Sequence, residues 1–277
     1  MPDRQGDKMS FSTADRKSLV YAVNLLESEG FLIRLTAVLG GPIETGLKKL
    51  PEKARRAISA ATESALKKAV NLAARTTYDS KQQPSWDRSH KALAMLAGGV
   101  GGFFGGVGAL IEIPFTTVLM LRSILDIARS EGQDIGKTSS RIECVNVFAF
   151  GGPSRDDDAA ETSYYATRAG LSVVAQRAAI FLASKPGQKQ AAELSAKLTA
   201  YLAKIAGRYA PVVGEKFAVE SLPVLGAAGG AVINAAFADH FQDKARGHFI
   251  VLRLEQKYGE KPIREEYEKI HQSQMRF

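Results

Sequence analysis

The chain holds one cysteine, Cys144, and one tryptophan, Trp86, among 277 residues. A lone cysteine excludes an intrachain disulfide, and a reducing, cytosolic setting is the default expectation. No CxxC pair, HExxH or GxSxG is present, so the common zinc and serine-nucleophile signatures are missing. No segment alternates polar and β-branched apolar residues, so no strand is expected. Residues 1–17, MPDRQGDKMSFSTADRK, carry no apolar run, and a secretory signal is not expected.

What is present is a globular composition, 45% hydrophobic and 24% charged, with a formal charge of +8. Such a balance favours anionic surfaces, phospholipid or nucleic acid. The chain turns on two apolar stretches. Residues 92–121 hold a single formal charge, Glu112, and glycines 98, 99, 101, 102, 105, 106 and 108. Residues 222–238, LPVLGAAGGAVINAAFA, repeat the character. Gly98/Gly102, Gly101/Gly105, Gly102/Gly106 and Gly226/Gly230 lie four apart, a spacing that lets two helix backbones approach closely.

Residues 92–111 are long enough to cross a bilayer core of roughly 30 Å. Glycine, however, contributes little insertion energy, and Glu112 would have to sit at an edge of the bilayer. Two readings follow: a soluble or peripheral bundle with a tight glycine-bearing hairpin, or a hairpin inserted in the bilayer.

The rest of the chain reads as helices between breaks. Ser12 or Thr13 caps a helix running to about residue 29, and a second follows from Phe31 to Val38. Pro51 opens a third, whose apolar face recurs at Ala54, Ile58, Ala61, Ala65 and Ala69. Lys53, Arg55, Arg56, Lys67 and Lys68 form its basic face. Residues 76–90 read as a loop. A helix is expected to open at Pro114 and end by Gly132 and Gly136, and residues 138–150 form a short one. Asp156, Asp157 and Asp158 favour a helix start electrostatically, on a helix running to about Ser184. Another is expected over 188–205, a break over 207–214, and a final charged helix over 262–271. The expected architecture is an all-α multi-helix bundle on the glycine-rich hairpin. Residues 1–12 are expected to be disordered, 13–84 to hold the N-terminal helices, and 85–277 to form the main helical unit.

Chemistry is sparser. Arg122, Asp126 and Arg129 form one polar stripe, either lining a cavity or making ordinary ion pairs along a helix. GQDIGKT, residues 132–138, is one residue short of a phosphate-binding loop and follows a helix where that motif needs a strand. His240 and Asp243 share a helix face, but a metal would need further ligands from elsewhere, and none is assigned. Cys144 is a nucleophile only if a histidine approaches it; the structural reading is a buried thiol.

Two blocks carry a resemblance. ALIEIPFTTVLMLRSILDIARSEGQD followed by RIECVNVFAFGG is one; VGEKFAVESLPVLGAAGGAVINAAFADHFQDKARGHFIVLRLEQKYG is the other. Together they resemble the EcsC protein family over roughly residues 85–260. Glu112 stands where members often have Asp, which keeps the charge. The resemblance implies a bacterial, all-α, membrane-associated protein, named for one encoded beside a transporter pair, and it supplies no reaction. It adds weight to Glu112, Arg122, Asp126, Cys144, Lys216, Asn234, Asp239, Arg246, His240 and His248. Of these, Arg122, Cys144, Lys216, Asn234, Asp239 and Arg246 make a candidate polar binding cluster.

Two function classes follow. One is a non-enzymatic accessory protein, cytoplasmic and peripheral to or partly inserted in the inner membrane. The basic helix would meet anionic lipid, with a transporter or other protein as partner and no cofactor. The other is a hydrolase in which Glu112, Asp126, His240 and His248 converge on a cleft, with or without a metal ion between them. Nucleic acid is set aside, because the basic helix lacks interleaved aromatics.

Overall fold

A computed structural model describes residues 11–28, 30–39, 51–75, 105–152, 164–183, 188–220 and 226–275. The expectations for residues 1–10, the 76–90 loop, glycines 98–102 and the acidic run 156–158 lie outside these. Among the described residues there are nine α-helices, one 3-10 turn and no strand, an all-α bundle.

α1 (Thr13–Leu26) starts on Ser12, whose hydroxyl accepts the Asp15 amide at 3.1 Å. Leu19, Ala22, Val23 and Leu26 recur at helical spacing and are buried. α2 (Phe31–Leu39) and α3 (Glu52–Arg75) follow. α4 (Gly105–Ser130) runs straight across Pro114 instead of opening there. A proline inside a helix costs one hydrogen bond and some ring strain. Here the helix is fastened on both sides of it by the buried side chains of Ile113, Thr116, Thr117, Met120 and Leu121.

α4 ends in a Schellman turn. The Gln133 amide bonds the Ala128 carbonyl at 2.9 Å, and Gly132 takes φ +85°, a conformation open to glycine. α5 (Thr138–Asn146) passes into a 3-10 turn, Val147–Ala149. α6 (Tyr164–Ala183) comes next. α7 (Gln188–Glu220) is one 33-residue helix, not a helix followed by a break. Gly207, Pro211 and Gly214 lie inside it, held by the buried residues Tyr209, Val212, Val213 and Phe217. Break-forming residues are weak priors where tertiary burial decides.

α8 (Gly226–Tyr258) is the second 33-residue helix, about 50 Å long at 1.5 Å per residue. Gly259, at φ +89°, turns the chain into α9 (Glu260–Gln274). α8 is the common spine. Phe237, Phe241, Ala245 and Phe249 join the larger core with α2, α3, α4, α5 and α7. Its last turns, Ile250, Val251 and Leu254, join a second core with α1, Tyr164, Tyr165 and α9.

Close approach through glycine occurs where α1 crosses α8. A Cβ added to Gly247 would lie 2.7 Å from Leu26 Cγ and 3.0 Å from the Ala22 carbonyl oxygen. Gly207, by contrast, is exposed on α7 with nothing within 4 Å. Gly247→Ala should therefore destabilise the fold by about 1–3 kcal/mol through overpacking. Gly207→Ala should stabilise it by up to about 1 kcal/mol through helix propensity. Urea denaturation of the two variants measures both, and equal signs would contradict the packing account.

Candidate functional site

A buried ionic cluster joins α4, α7 and α8. α4 presents Glu112, α7 presents Lys216 and, one turn on, Glu220, and α8 presents Asn234. Lys216 Nζ lies 2.9 Å from Glu112 Oε1 and 2.8 Å from Glu220 Oε1. The Asn234 amide donates to the same Glu112 oxygen at 2.8 Å. All three charged side chains are 4–6% exposed. The ammonium also sits 5.8 Å from the centre of the Phe237 ring.

Two carboxyls and one ammonium leave an excess negative charge if all ionise, which the interior resists. Burial raises the Glu220 carboxyl, the Glu112 charge adds to that, and Lys216 opposes it; the net shift is upward. Burial alone would lower the Lys216 ammonium, but its two carboxylate neighbours outweigh it and raise it. Lys216 is thus shared between Glu112 and a Glu220 carboxyl whose hold on a proton is strengthened. Among the described residues, Glu112 Oε2 and Asn234 Oδ1 have no hydrogen-bond partner.

Further along α8, His240, Gln242, Lys244 and His248 each find at least one partner, although among the described residues His240 Nδ1 has none. His240 Nε2 lies 2.7 Å from the Gly151 carbonyl, so that nitrogen carries the proton. Burial first, then the nearby Lys244 charge, push the ring down to about 3, and it is neutral at physiological pH. Gln242 donates to the Ser123 hydroxyl at 2.8 Å. Lys244 caps the end of α1, donating to the carbonyls of Leu25 at 3.0 Å and Leu26 at 2.7 Å. Burial lowers its ammonium to about 8. His248 Nδ1 meets the Tyr164 hydroxyl at 2.8 Å, and Nε2 stands 3.2 Å from Glu143 Oε2. Burial lowers its ring as well, against the pull of Glu143.

The sequence-derived candidates therefore divide. Glu112, Lys216 and Asn234 meet. Arg122 is exposed, and Asp126 pairs with Arg129 at 3.0 Å, an intrahelical ion pair rather than a cavity lining. Cys144 is fully buried, its thiol pushed up by burial and by the Glu143 charge, which does not suit a nucleophile. Asp239 is half-buried, and Arg246 reaches Glu131 at 3.9 Å. These five do not join the cluster.

Nor do the four hydrolase candidates share a cleft. Glu112 and Asp126 are fourteen residues apart on one helix, about 20 Å. His248 is the same distance along α8 from Asn234, which holds Glu112. Among the described residues no three His, Cys, Asp or Glu side chains group so as to hold a metal ion. Asp243 instead pairs with Arg34 at 2.7 Å.

The basic face of α3 is exposed at Lys53, Arg55, Arg56, Lys67 and Lys68, while Ile58, Ala65, Leu66, Ala69 and Val70 are buried. At 3.6 residues per turn, Lys53, Arg56, Lys67 and Lys68 fall within an arc of about 120°, and Arg55 lies off it. Among the described residues no helix is long and apolar enough to cross a membrane.

The EcsC protein family model matches residues 33–254. The chain belongs to the EcsC family. The match begins inside α2, earlier than the signature blocks alone reach, so the basic helix of this EcsC chain is part of the family region and not an appendage to it. No curated protein and no solved structure matches the chain.

Sequence reading missed Glu220, Lys244, Glu143 and Tyr164. The four-residue step from Lys216 to Glu220 was a usable signal. The partners of Lys244 are backbone carbonyls, which no residue pattern marks.

Lys216→Met should cost about 3–5 kcal/mol, because it strands buried carboxylates. Glu220→Gln should stay within about 1 kcal/mol of the parent, because it replaces a carboxyl already held toward its neutral form. Chemical denaturation at pH 7 orders the pair.

The depressed His240 ring sets a pH window. The unfolded chain takes up its proton near 6.5 and the folded protein only near 3. Stability is therefore full above 6.5 and falls as pH drops toward 3. Between pH 7.5 and 5.5 the parent should lose on the order of 1 kcal/mol more than His240→Gln, which still donates to Gly151 but does not titrate. Urea midpoints at the two pH values test it.

Proposed function

We propose that this EcsC protein is a non-enzymatic accessory protein of an anionic membrane surface, docking through the outer face of α3. The observation that carries the reading is the division of that helix. One side is buried against α4 and α7, and the opposite side offers Lys53, Arg56, Lys67 and Lys68 to solvent. Ala60 and Ser64 lie between these cations and are exposed or partly so, so small side chains would let the helix lie flat on headgroups. A helix clamped from behind binds without ordering cost, which favours its use as a docking face. The location that follows is cytoplasmic and peripheral to the inner membrane, where a transporter partner would be within reach.

Catalysis by the Glu112, Asp126, His240 and His248 set has no geometric support. The buried cluster then serves the body that carries α3, and the cations make the contact. Each surface cation contributes about 1 kcal/mol near an anionic leaflet. Arg56 is shared with Glu52 at 3.3 Å, and the other three give on the order of a hundredfold partitioning at low salt.

Vesicles containing about one third phosphatidylglycerol should pull down the full chain at low ionic strength and release it at high salt. Reversal of the four cations to glutamate should lower binding by at least a hundredfold while the helical circular-dichroism signal stays unchanged. Binding that survives the reversal, or no binding by the parent, would overturn the proposal.

A further inference from the structure

Away from α3, a cleft of about 450 Å³ opens between α5, α6 and the start of α9. Its polar lining includes Glu143 and Asn146 from α5, Tyr165 and Arg168 from α6, and Glu260 and Arg264 from α9. The volume lies within the usual range for small-molecule pockets.

The lining is organised by charge. Glu143 is fixed from behind: its Oε2 accepts the Asn146 amide at 3.0 Å and stands 3.2 Å from His248 Nε2. Asn146 is in turn fixed, accepting the Tyr201 hydroxyl at 2.8 Å. Oε2 is thus occupied, which leaves Oε1 for the cleft, and the side chain is 30% exposed. Burial would raise this carboxyl, but the His248 and Asn146 contacts and the Arg168 charge together hold it below its ordinary value. It is an ionised acceptor at neutral pH.

The other wall carries two guanidiniums flanking one ring. Arg168 Cζ is 5.9 Å and Arg264 Cζ 5.4 Å from the centre of Tyr165. Arg168 gives one nitrogen to Glu255 at 2.7 Å, and Arg264 gives its Nε to Glu268 at 2.9 Å. A guanidinium has five N–H donors, so each retains several after that bond. Ordered guanidiniums with remaining donors are suited to a carboxylate or a phosphate.

We infer that this cleft is a binding site for a small zwitterion, its ammonium group held by Glu143 and its carboxylate or phosphate held by Arg168 and Arg264. A lone cation would meet the repulsion of the arginine wall, and a lone anion that of Glu143 and Glu260. A molecule carrying both charges a few ångströms apart satisfies both walls. Ser172, exposed on α6, completes the rim. The inference stands apart from the membrane reading, since no cation of α3 takes part.

Isothermal titration of the full chain tests it with four probes: O-phosphoethanolamine, β-alanine, ethanolamine and inorganic phosphate. At least one of the two zwitterions should bind ten times more tightly than either single-charge probe. Glu143→Gln and Arg264→Leu should each weaken that binding at least tenfold, and Ser172→Tyr should block it by filling the cleft. If Glu143→Gln fails to fold, the two surface variants carry the test, since both residues are exposed. Vesicles of phosphatidylethanolamine, offered to the α3 charge-reversed protein, distinguish a lipid headgroup from a free zwitterion. Retention on those vesicles, lost in Arg264→Leu, assigns the headgroup; no retention, with titration intact, assigns the soluble molecule. Failure of both zwitterions at millimolar concentration, or equal binding of the single-charge probes, overturns the inference.

Discussion

The constraint on which the structure depends is that α8 carries polar side chains into the interior and each must find a partner there. A buried polar group without one costs several times what a satisfied one contributes. α8 meets this at five levels with five different neighbours. Asn234 bonds α4 near its start, His240 the Gly151 turn, and Gln242 the middle of α4. Lys244 takes the carbonyl end of α1, and His248 meets Tyr164 on α6. Apolar packing alone would tolerate sliding between rods. Partners that differ at every level do not, because a shift of one turn would orphan all five at once.

The same rule explains how charge is distributed. Inside, cations and acids are matched: Lys216 with Glu112 and Glu220, Lys244 with backbone carbonyls, and Arg168 with Glu255. Outside, matching is not required, and the excess of positive charge can gather on one side of α3.

Much of this was legible in the sequence. Helical periodicity located α1, α2 and α3 and both faces of α3, and Ser12 was a sound cap. The family resemblance singled out Glu112, Lys216 and Asn234, which do meet. Element ends were harder where glycine and proline sat in buried helices. Pro114, Gly207, Pro211 and Gly214 read as punctuation, and the packing of Thr117, Tyr209 and Val212 overrides them. The four proposed catalytic residues lie spread along two helices for a simpler reason. Signature blocks report that residues matter, not that they matter together, and fourteen helical positions separate groups that look neighbourly on one line of text. The cleft at Glu143 gave no signal, because its walls come from three elements and its charges look like ordinary surface residues.

Pro114 and Pro211 each remove one rung from the backbone ladder of the helix that contains them. Between the two weakened turns lies a hydroxyl contact, Thr117 with Tyr209 at 3.0 Å, from three residues beyond one proline to two residues before the other. It acts as a pin through a paired joint. The two interrupted ladders are thus tied sideways, helix to helix, on the same pair of elements that carries Glu112 and Lys216.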